Sequence, residues 1–244
     1  MASGHIVASF DEDLADLKNM LARLGGLAEK QFADAMDALE RRDIQNIDEI
    51  IARDAELDEM EFNLNERGIE IIALRAPVAR DLRRIIVTIK VAAVLERIGD
   101  YAKNIAKRSR VIIEHENSKS ENVSLARMAA LVQQMLNQVL DAYVSGDADL
   151  AMDVRDRDME VDRLHTSLFG EMLARMSDNP EQVSAGSHLL FIAKNIERIG
   201  DHTTGIAEQI FFLKNGRYPS NERPKADKSS LSALESSLAL KGFK

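Results

Sequence analysis

Apolar residues recur every three or four positions along most of this chain, which is the spacing that places them on one face of an α-helix. The clearest stretch follows Pro77 and predicts a helix with apolar positions Leu82, Ile85, Ile86, Ile89, Ala92, Ala93, Leu95 and Ile98. An earlier stretch predicts a helix with apolar positions Ile47, Ile50, Ile51, Leu57 and Leu64. The commonest residues are good helix formers, among them leucine, alanine, glutamate, lysine and arginine. The pattern therefore predicts an all-α protein.

Residues typical of helix ends divide the first half of the chain into three helices. Ser9 and Glu12 have the spacing of a capping box, which predicts a first helix that ends near Arg41. Asp43 can cap a second helix, because its carboxylate can accept a hydrogen bond from a free backbone N–H. Pro77 separates the second helix from the third, since the residue before a proline disfavours helical backbone.

The second half repeats this plan after a polar linker at residues 114–122. Helices are predicted over residues 123–145 and 147–176, with a break at glycine between them. Asn179 and Pro180 supply an N-cap and a proline for the first position of the last helix.

The two halves also share sequence. Glu-Arg-Ile-Gly-Asp occurs at residues 96–100 and again at residues 197–201. A constant shift upstream aligns residues 53–58 with residues 157–162, where arginine, glutamate and two aspartates are identical. Internal duplication of one unit explains these matches better than chance.

Short connections make neighbouring helices antiparallel, so each unit is predicted to be a three-helix bundle. The fold expected is all-α, with two tandem, internally duplicated bundles and a polar C-terminal tail. The first bundle is predicted over residues 1–116 and the second over residues 123–214. Residues 215–244 are rich in serine and are predicted to be a disordered tail.

Composition excludes several classes of function. The net charge of −9 argues against a protein that coats nucleic acid. The absence of cysteine excludes disulfides and thiolate metal sites. No apolar run reaches the roughly 18 residues of a membrane span, and no basic segment before an apolar run indicates a secretory signal. A cytoplasmic protein is expected.

Acidic residues lie four apart on two predicted helices of each unit. The doublets are Asp54 and Asp58, Glu96 and Asp100, Asp158 and Asp162, and Glu197 and Asp201. Members of a doublet share a helix face, and that face continues the apolar stripe rather than opposing it. Like charges at this spacing repel by about 0.2–0.5 kcal/mol even on an exposed helix. Partly buried carboxylates facing each other require protonation or a cation, so the eight side chains are predicted metal ligands.

Two more side chains lie one turn further along the same faces, Glu61 in the first unit and His165 in the second. They are candidates for additional ligands or for hydrogen-bond partners of ligands. Oxygen donors favour hard divalent or trivalent ions such as Mg, Mn, Ca or Fe. Zinc also stays among the candidate metals.

Other interpretations of the acidic doublets remain open at this point. An acidic doublet on a helix is commonly a solvated face, and Arg97 or Arg198 could neutralise the acids as structural salt bridges. A purely structural helical dimer would leave the acids free of metal. A di-metal carboxylate oxidase is the enzymatic alternative, but such enzymes repeat Glu-x-x-His on two helices. Here only Asp162 and His165 have a comparable spacing, because Asp58 is followed by Glu61.

The duplicated three-helix unit, with its repeated ERIGD followed by Ile-Ala and its upstream acidic doublet, resembles the PhoU family of phosphate transport accessory proteins. The segment "ARDLRR" at residues 79–84 is also similar to that family. The family pattern after ERIGD favours histidine, then asparagine three residues later. The first copy has Tyr101 and Asn104 at these positions, and the second has His202 and Gly205.

The resemblance implies multinuclear metal clusters held by the acidic motifs, with Asn104 and His202 as additional ligands or partners of ligands. It also implies a cytoplasmic, non-enzymatic negative regulator of the phosphate-starvation response and of phosphate uptake. The expected partners are the ATPase subunit of the phosphate ABC transporter, a phosphate-sensing histidine kinase and a second copy of the chain. Membrane association is expected only through those partners.

Overall fold

The computed structural model describes residues 2–115, 123–220 and 227 and consists of helices joined by short turns. The helices are α1 (Ala2–Arg41), α2 (Ile44–Arg75), α3 (Ala79–His115), α4 (Val123–Ser145), α5 (Ala148–Asp178) and α6 (Val183–Asn215). A single 3₁₀ turn, Pro180–Gln182, precedes α6. Within these residues there is no β-strand, and the prediction of an all-α chain with two tandem helical units is confirmed.

Polar side chains cap the helices largely as the sequence predicts. The Asp43 carboxylate accepts a hydrogen bond from the backbone N–H of Asn46 at 3.1 Å. Asp147 caps α5 in the equivalent way, accepting from the backbone N–H groups of residues 149 and 150. Asn179 caps the 3₁₀ turn that leads into α6.

The predicted helix start at Ser9 is wrong. Helix α1 already begins at Ala2 and passes through Ser9 without a break. The Ser9 hydroxyl is 2.5 Å from the Arg75 guanidinium, which donates a hydrogen bond to it. The Ser9 side chain, whose spacing from Glu12 predicted a cap, therefore makes a tertiary hydrogen bond to the end of α2 instead.

The six helices form two antiparallel bundles that pack against each other. Helix α3 packs on α1 and α2, while α6 packs on α4 and α5. The two units are joined where α3 packs against α6 and where α1 packs against α4. Buried residues such as Leu24, Phe32, Leu95 and Ile199 belong to one hydrophobic cluster that runs through both bundles. The two central helices, α3 and α6, are those that carry the repeated ERIGD segments.

The chain turns back after α6. Gly216 adopts a left-handed conformation with φ of 72°, and its N–H donates to the Phe212 carbonyl oxygen at 2.8 Å. Tyr218 then stacks on Phe212 with ring centroids 4.6 Å apart. Tyr218 therefore packs on α6. Most of the tail predicted at residues 215–244 lies outside the described residues. Among the helices described, none is both long and apolar enough to cross a membrane.

Candidate functional site

Helices α2 and α3 bring the acids of the first unit together around a lysine. Asp54 is buried, with 6% of its surface exposed. Its carboxylate accepts a hydrogen bond from Gln31 Nε2 at 3.4 Å and forms an ion pair with Lys103. The same ammonium group lies 2.6 Å from Asp100 Oδ1. Lys103 therefore bridges one acid on α2 and one on α3.

The electrostatics of this first acidic set reflect the crowding of carboxylates. Burial raises the pKa of Glu96, and the neighbouring charges of Asp100, Asp58, Glu61 and Asp54 raise it further. These four carboxylates are therefore close enough to repel Glu96, although Asp58 itself is exposed to solvent. Burial would lower the pKa of the bridging lysine, but its hydrogen bonds to two aspartates raise it overall.

A glycine allows α3 to approach α2 at this point. Gly99 lies between Glu96 and Asp100 on α3, and a Cβ atom added there would overlap Leu57 Cδ1 on α2. The Gly99 carbonyl oxygen accepts a hydrogen bond from Gln31 Nε2 at 3.2 Å, so α1 also contacts the same turn. The glycine of the repeated motif therefore allows the close approach of the two acidic helices.

The second acidic set is more deeply buried than the first. Asp158, Asp162, His165 and Glu197 each have 6% or less of their surface exposed. Burial raises the pKa of Glu197. Lys194 has the opposite effect on this pKa, because its Nζ lies 2.9 Å from the Glu197 carboxylate, but the effect of burial is larger. The low exposure of all four side chains shows that this set is built into the bundle and is not a solvated helix face.

The charge of Asp201 also raises the pKa of Glu197, so that both acids of the second ERIGD segment belong to the same set. Burial lowers the pKa of His165, which favours the neutral imidazole. A neutral imidazole can accept a hydrogen bond or coordinate a cation through its free nitrogen.

Asp227, from the segment after α6, joins this second set. Its carboxylate lies 3.5 Å from His165 Nδ1 and 3.5 Å from Lys194 Nζ. No sequence signal indicates this contact, since the residues around Asp227 have neither apolar periodicity nor a motif.

The lysines that neutralise the two sets are not equivalent in the duplicated sequence. The position of Lys103 is occupied by Thr204 in the second unit, and the position of Lys194 is occupied by Ala93 in the first. The sequence instead suggested Arg97 and Arg198 as the residues that could neutralise the acids. Within the described chain neither arginine forms an ion pair with an acid. Arg198 donates a hydrogen bond to Tyr101 Oη at 3.4 Å.

The side chains that directly follow the two ERIGD segments meet at the interface of the two units. Tyr101 on α3 and His202 on α6 stack with ring centroids 5.4 Å apart. Burial lowers the pKa of His202, and the charge of Arg97 lowers it further. Asn104 is exposed on α3. Tyr101 and His202 therefore link the units rather than converging on one acidic set.

The donor chemistry of both sets fits a hard cation, because carboxylates of raised pKa are stabilised when a positive charge approaches. In the described parts of the chain, however, no three His, Cys, Asp or Glu side chains are grouped so that they could hold one metal ion. Lysine ammonium groups provide the positive charge instead. The twelve predicted ligands and ligand partners therefore stay a prediction.

Comparisons with known proteins agree with the duplicated architecture. The PhoU domain matches the chain twice, at residues 21–109 and 125–210. A phosphate-specific transport system accessory protein PhoU homolog from Rhizobium meliloti is 42% identical over 230 residues, covering 94% of this chain and 97% of the relative. A homolog of the same name from Caulobacter vibrioides is 43% identical over 223 residues, covering 91% of this chain and 97% of the relative.

Two solved structures are also similar. The crystal structure of PhoU from Pseudomonas aeruginosa has a TM-score of 0.82 at 36% identity and covers 85% of this chain and 100% of that one. The phosphate transport system regulatory protein PhoU from Streptococcus pneumoniae has a TM-score of 0.81 at 26% identity, with 87% and 100% covered.

Proposed function

The chain belongs to the PhoU family, and we propose that it regulates phosphate uptake as an accessory protein of a phosphate-specific transport system. The observation that carries this proposal is the doubled domain, matched over nearly the full length of relatives named for that role. We propose no catalytic activity.

The more specific proposal is negative regulation of the phosphate-starvation response. The protein acts as a cytoplasmic adaptor between the ATPase subunit of the phosphate ABC transporter and a phosphate-sensing histidine kinase. Two similar bundles in one chain suit this role, because linked binding modules strengthen simultaneous contact with two partners or two copies of one. Homodimerisation would double the number of bundles available to partners, and sedimentation velocity measures the oligomeric state directly.

We further propose that the two acidic sets bind divalent or trivalent metal ions. The proposal is supported by the raised pKa values of Glu96 and Glu197, which mark carboxylates that gain from a nearby cation. Lys103 already pairs with Asp54 and Asp100, and Lys194 pairs with Glu197. Metal binding therefore requires each ammonium group to move away from its carboxylate partners. The metal would add positive charge and cross-link helices within a unit.

The metal proposal is tested by elemental analysis of protein purified without chelator. We expect Asp100→Asn combined with Asp201→Asn to lower the metal content. The matched control is Asp141→Asn combined with Asp153→Asn, which removes two exposed carboxylates from the second unit outside both sets. Equal metal content in the two double variants would rule out the assignment of ligands.

The regulatory proposal is tested in the cell. Deleting the gene should leave a phosphate-starvation reporter switched on in high-phosphate medium, and the intact gene should restore repression. The double variant at Asp100 and Asp201 should restore repression poorly, while the control variant should restore it fully. Affinity capture with the intact protein should recover the transporter ATPase subunit. Normal repression in the deletion strain would contradict the assignment as a negative regulator.

The di-metal oxidase remains the alternative function. His165 lies in the second set beside Asp162, but the equivalent position in the first set is Glu61. Oxygen consumption by iron-loaded protein in the presence of a reductant distinguishes the two functions. Turnover would favour the oxidase, and its absence would favour the adaptor.

A further inference from the structure

A cavity of about 400 Å³ lies between the two bundles, away from both acidic sets. It is lined by the first half of α1, the start of α3, the end of α4 and the end of α6. None of the twelve predicted metal-site residues lines it. Its volume is within the roughly 300–1,000 Å³ typical of pockets that bind small molecules.

Four cationic residues line this cavity, and they are Lys18, Arg80, Arg84 and Lys214. Within the residues that the structure describes, no carboxylate lies within ion-pair distance of any of the four. By contrast, Arg53, Arg67 and Arg75 each pair with an aspartate on α1. All four side chains are exposed to solvent, so their charges are available to a ligand that enters the cavity. Cations gathered around one cavity attract anions there, although the chain as a whole has a net charge of −9.

The remaining polar side chains of the cavity leave it positively charged. Asp11 is the one carboxylate among the described lining residues. Tyr143 is held at the wall by a hydrogen bond of 2.7 Å between its hydroxyl group and that of Thr88. Burial raises the pKa of Tyr143, so its phenol adds no negative charge at neutral pH. Four cations and one carboxylate leave an excess of about three positive charges.

The size and lining of the cavity exclude a bare inorganic anion as the best fit. Apolar residues from two helices also line the cavity, Leu14 and Leu17 from α1 and Ile210 and Leu213 from α6. A single tetrahedral anion would leave most of the volume and this apolar lining in contact with water. An occupant with an apolar or planar part would cover apolar lining and remove it from water.

From this charge, volume and lining, we propose that the cavity binds a small organic phosphate of the nucleoside diphosphate type. Each phosphoryl group carries up to two negative charges, so two of them balance the excess positive charge where a single carboxylate would not. Arginine binds phosphate through two parallel hydrogen bonds, and Arg80 and Arg84 lie one helical turn apart on α3. The nucleoside part packs on the apolar residues of the lining. This site is separate from the proposed metal sets and adds a ligand to the proposed regulator.

The test is titration of the full chain with ADP by calorimetry at low ionic strength, with EDTA present so that metal bound to the acidic sets does not contribute. One ADP should bind per chain, and affinity should fall as salt is added because the contacts are ionic. Arg80→Gln combined with Arg84→Gln should weaken binding by roughly tenfold or more. A second double variant, Lys18→Gln with Lys214→Gln, should weaken it as well.

The matched control is Lys90→Gln combined with Lys107→Gln, which removes the same charge from exposed positions of α3 outside the cavity. This variant should bind ADP nearly as tightly as the unaltered chain. Inorganic phosphate and adenosine, used as separate probes, should each bind much more weakly than ADP. The proposal is overturned if ADP does not bind, if the control loses as much affinity as the arginine variant, or if phosphate alone binds equally well. Binding that appears only with added Mg and disappears in Asp100→Asn with Asp201→Asn would also overturn it, since that result would place ADP at the acidic sets.

Discussion

The two glycines of the repeated ERIGD segments, Gly99 and Gly200, should respond oppositely to the same substitution. Both lie inside a long helix, where alanine is favoured over glycine by about 1 kcal/mol because glycine loses more backbone entropy on folding. Their tertiary surroundings differ. Gly99→Ala and Gly200→Ala therefore separate helix propensity, which is equal at the two sites, from packing, which is not.

The magnitudes follow from the neighbouring atoms. At Gly99 an added Cβ would overlap Leu57 Cδ1, and Leu57 is fully buried with 0% exposure. Overpacking of a filled core costs about 1–3 kcal/mol, so the net change should lie between neutral and about 2 kcal/mol of destabilisation. At Gly200 the nearest atoms are Val161 Cγ1 at 3.4 Å and Asp158 Oδ1 at 3.5 Å, which are ordinary contacts. Gly200→Ala should therefore keep most of its gain of about 1 kcal/mol.

Urea unfolding followed by helical circular dichroism measures both changes. For a chain of this size each kcal/mol corresponds to about 2–4 °C in melting temperature, so the two variants should be separable by thermal unfolding as well. Adding Leu57→Val should destabilise the Gly99→Ala variant less than it destabilises the unaltered protein, because the smaller side chain relieves the overlap. Equal stabilities of the two alanine variants, or no coupling with Leu57, would refute the close approach of α2 and α3.

Two further predictions concern charged groups. Burial would raise the pKa of Asp34, but hydrogen bonds from Lys30 and Arg53 outweigh it and lower the pKa. The stability that this carboxylate contributes is therefore present above its unfolded pKa and lost as pH falls through its lower folded pKa. Asp34→Asn should cost about 1 kcal/mol in urea unfolding at neutral pH and almost nothing in strong acid. The control Asp16→Asn, at an exposed position of α1, should change little at either pH. A loss in Asp34→Asn that persists in acid would contradict the ion pairs. If the acidic sets hold metal, chelator should lower the melting temperature, since a ligand at a hundred times its Kd stabilises the folded state by about 2.7 kcal/mol. The loss should be smaller in Glu96→Gln, and a melting curve indifferent to chelator in the unaltered protein would count against bound metal.

The sequence alone predicted the helices and the duplication correctly because both depend on local information. Apolar spacing of 3.6 residues, capping side chains such as Asp43 and Asp147, and Pro77 act within one or two turns of the chain. The one clear error at a helix start, Ser9, occurred where a side chain from another helix, Arg75, takes the hydroxyl group. Local signals fail where a distant partner competes for the same atoms.

The sequence also identified which acids share a face, but it could not predict their environments. Asp58 and Asp162 occupy equivalent positions in the two copies, yet the first is exposed and the second is buried. Burial depends on which helices pack over a position, and α2 and α5 are covered differently.

The groups that neutralise the acids were decided only by tertiary structure. Lys103 and Lys194 come from non-equivalent positions of the duplicated unit, and Asp227 reaches the second set from beyond α6. No periodicity or motif marks such contacts, because side chains of this length can reach several neighbours. The cavity lined by cationic residues also depends on tertiary structure, since Lys18, Arg84 and Lys214 come from three helices far apart in the sequence. Which charges meet depends on how the two bundles dock, and that arrangement is set by the shared hydrophobic core rather than by the charges themselves.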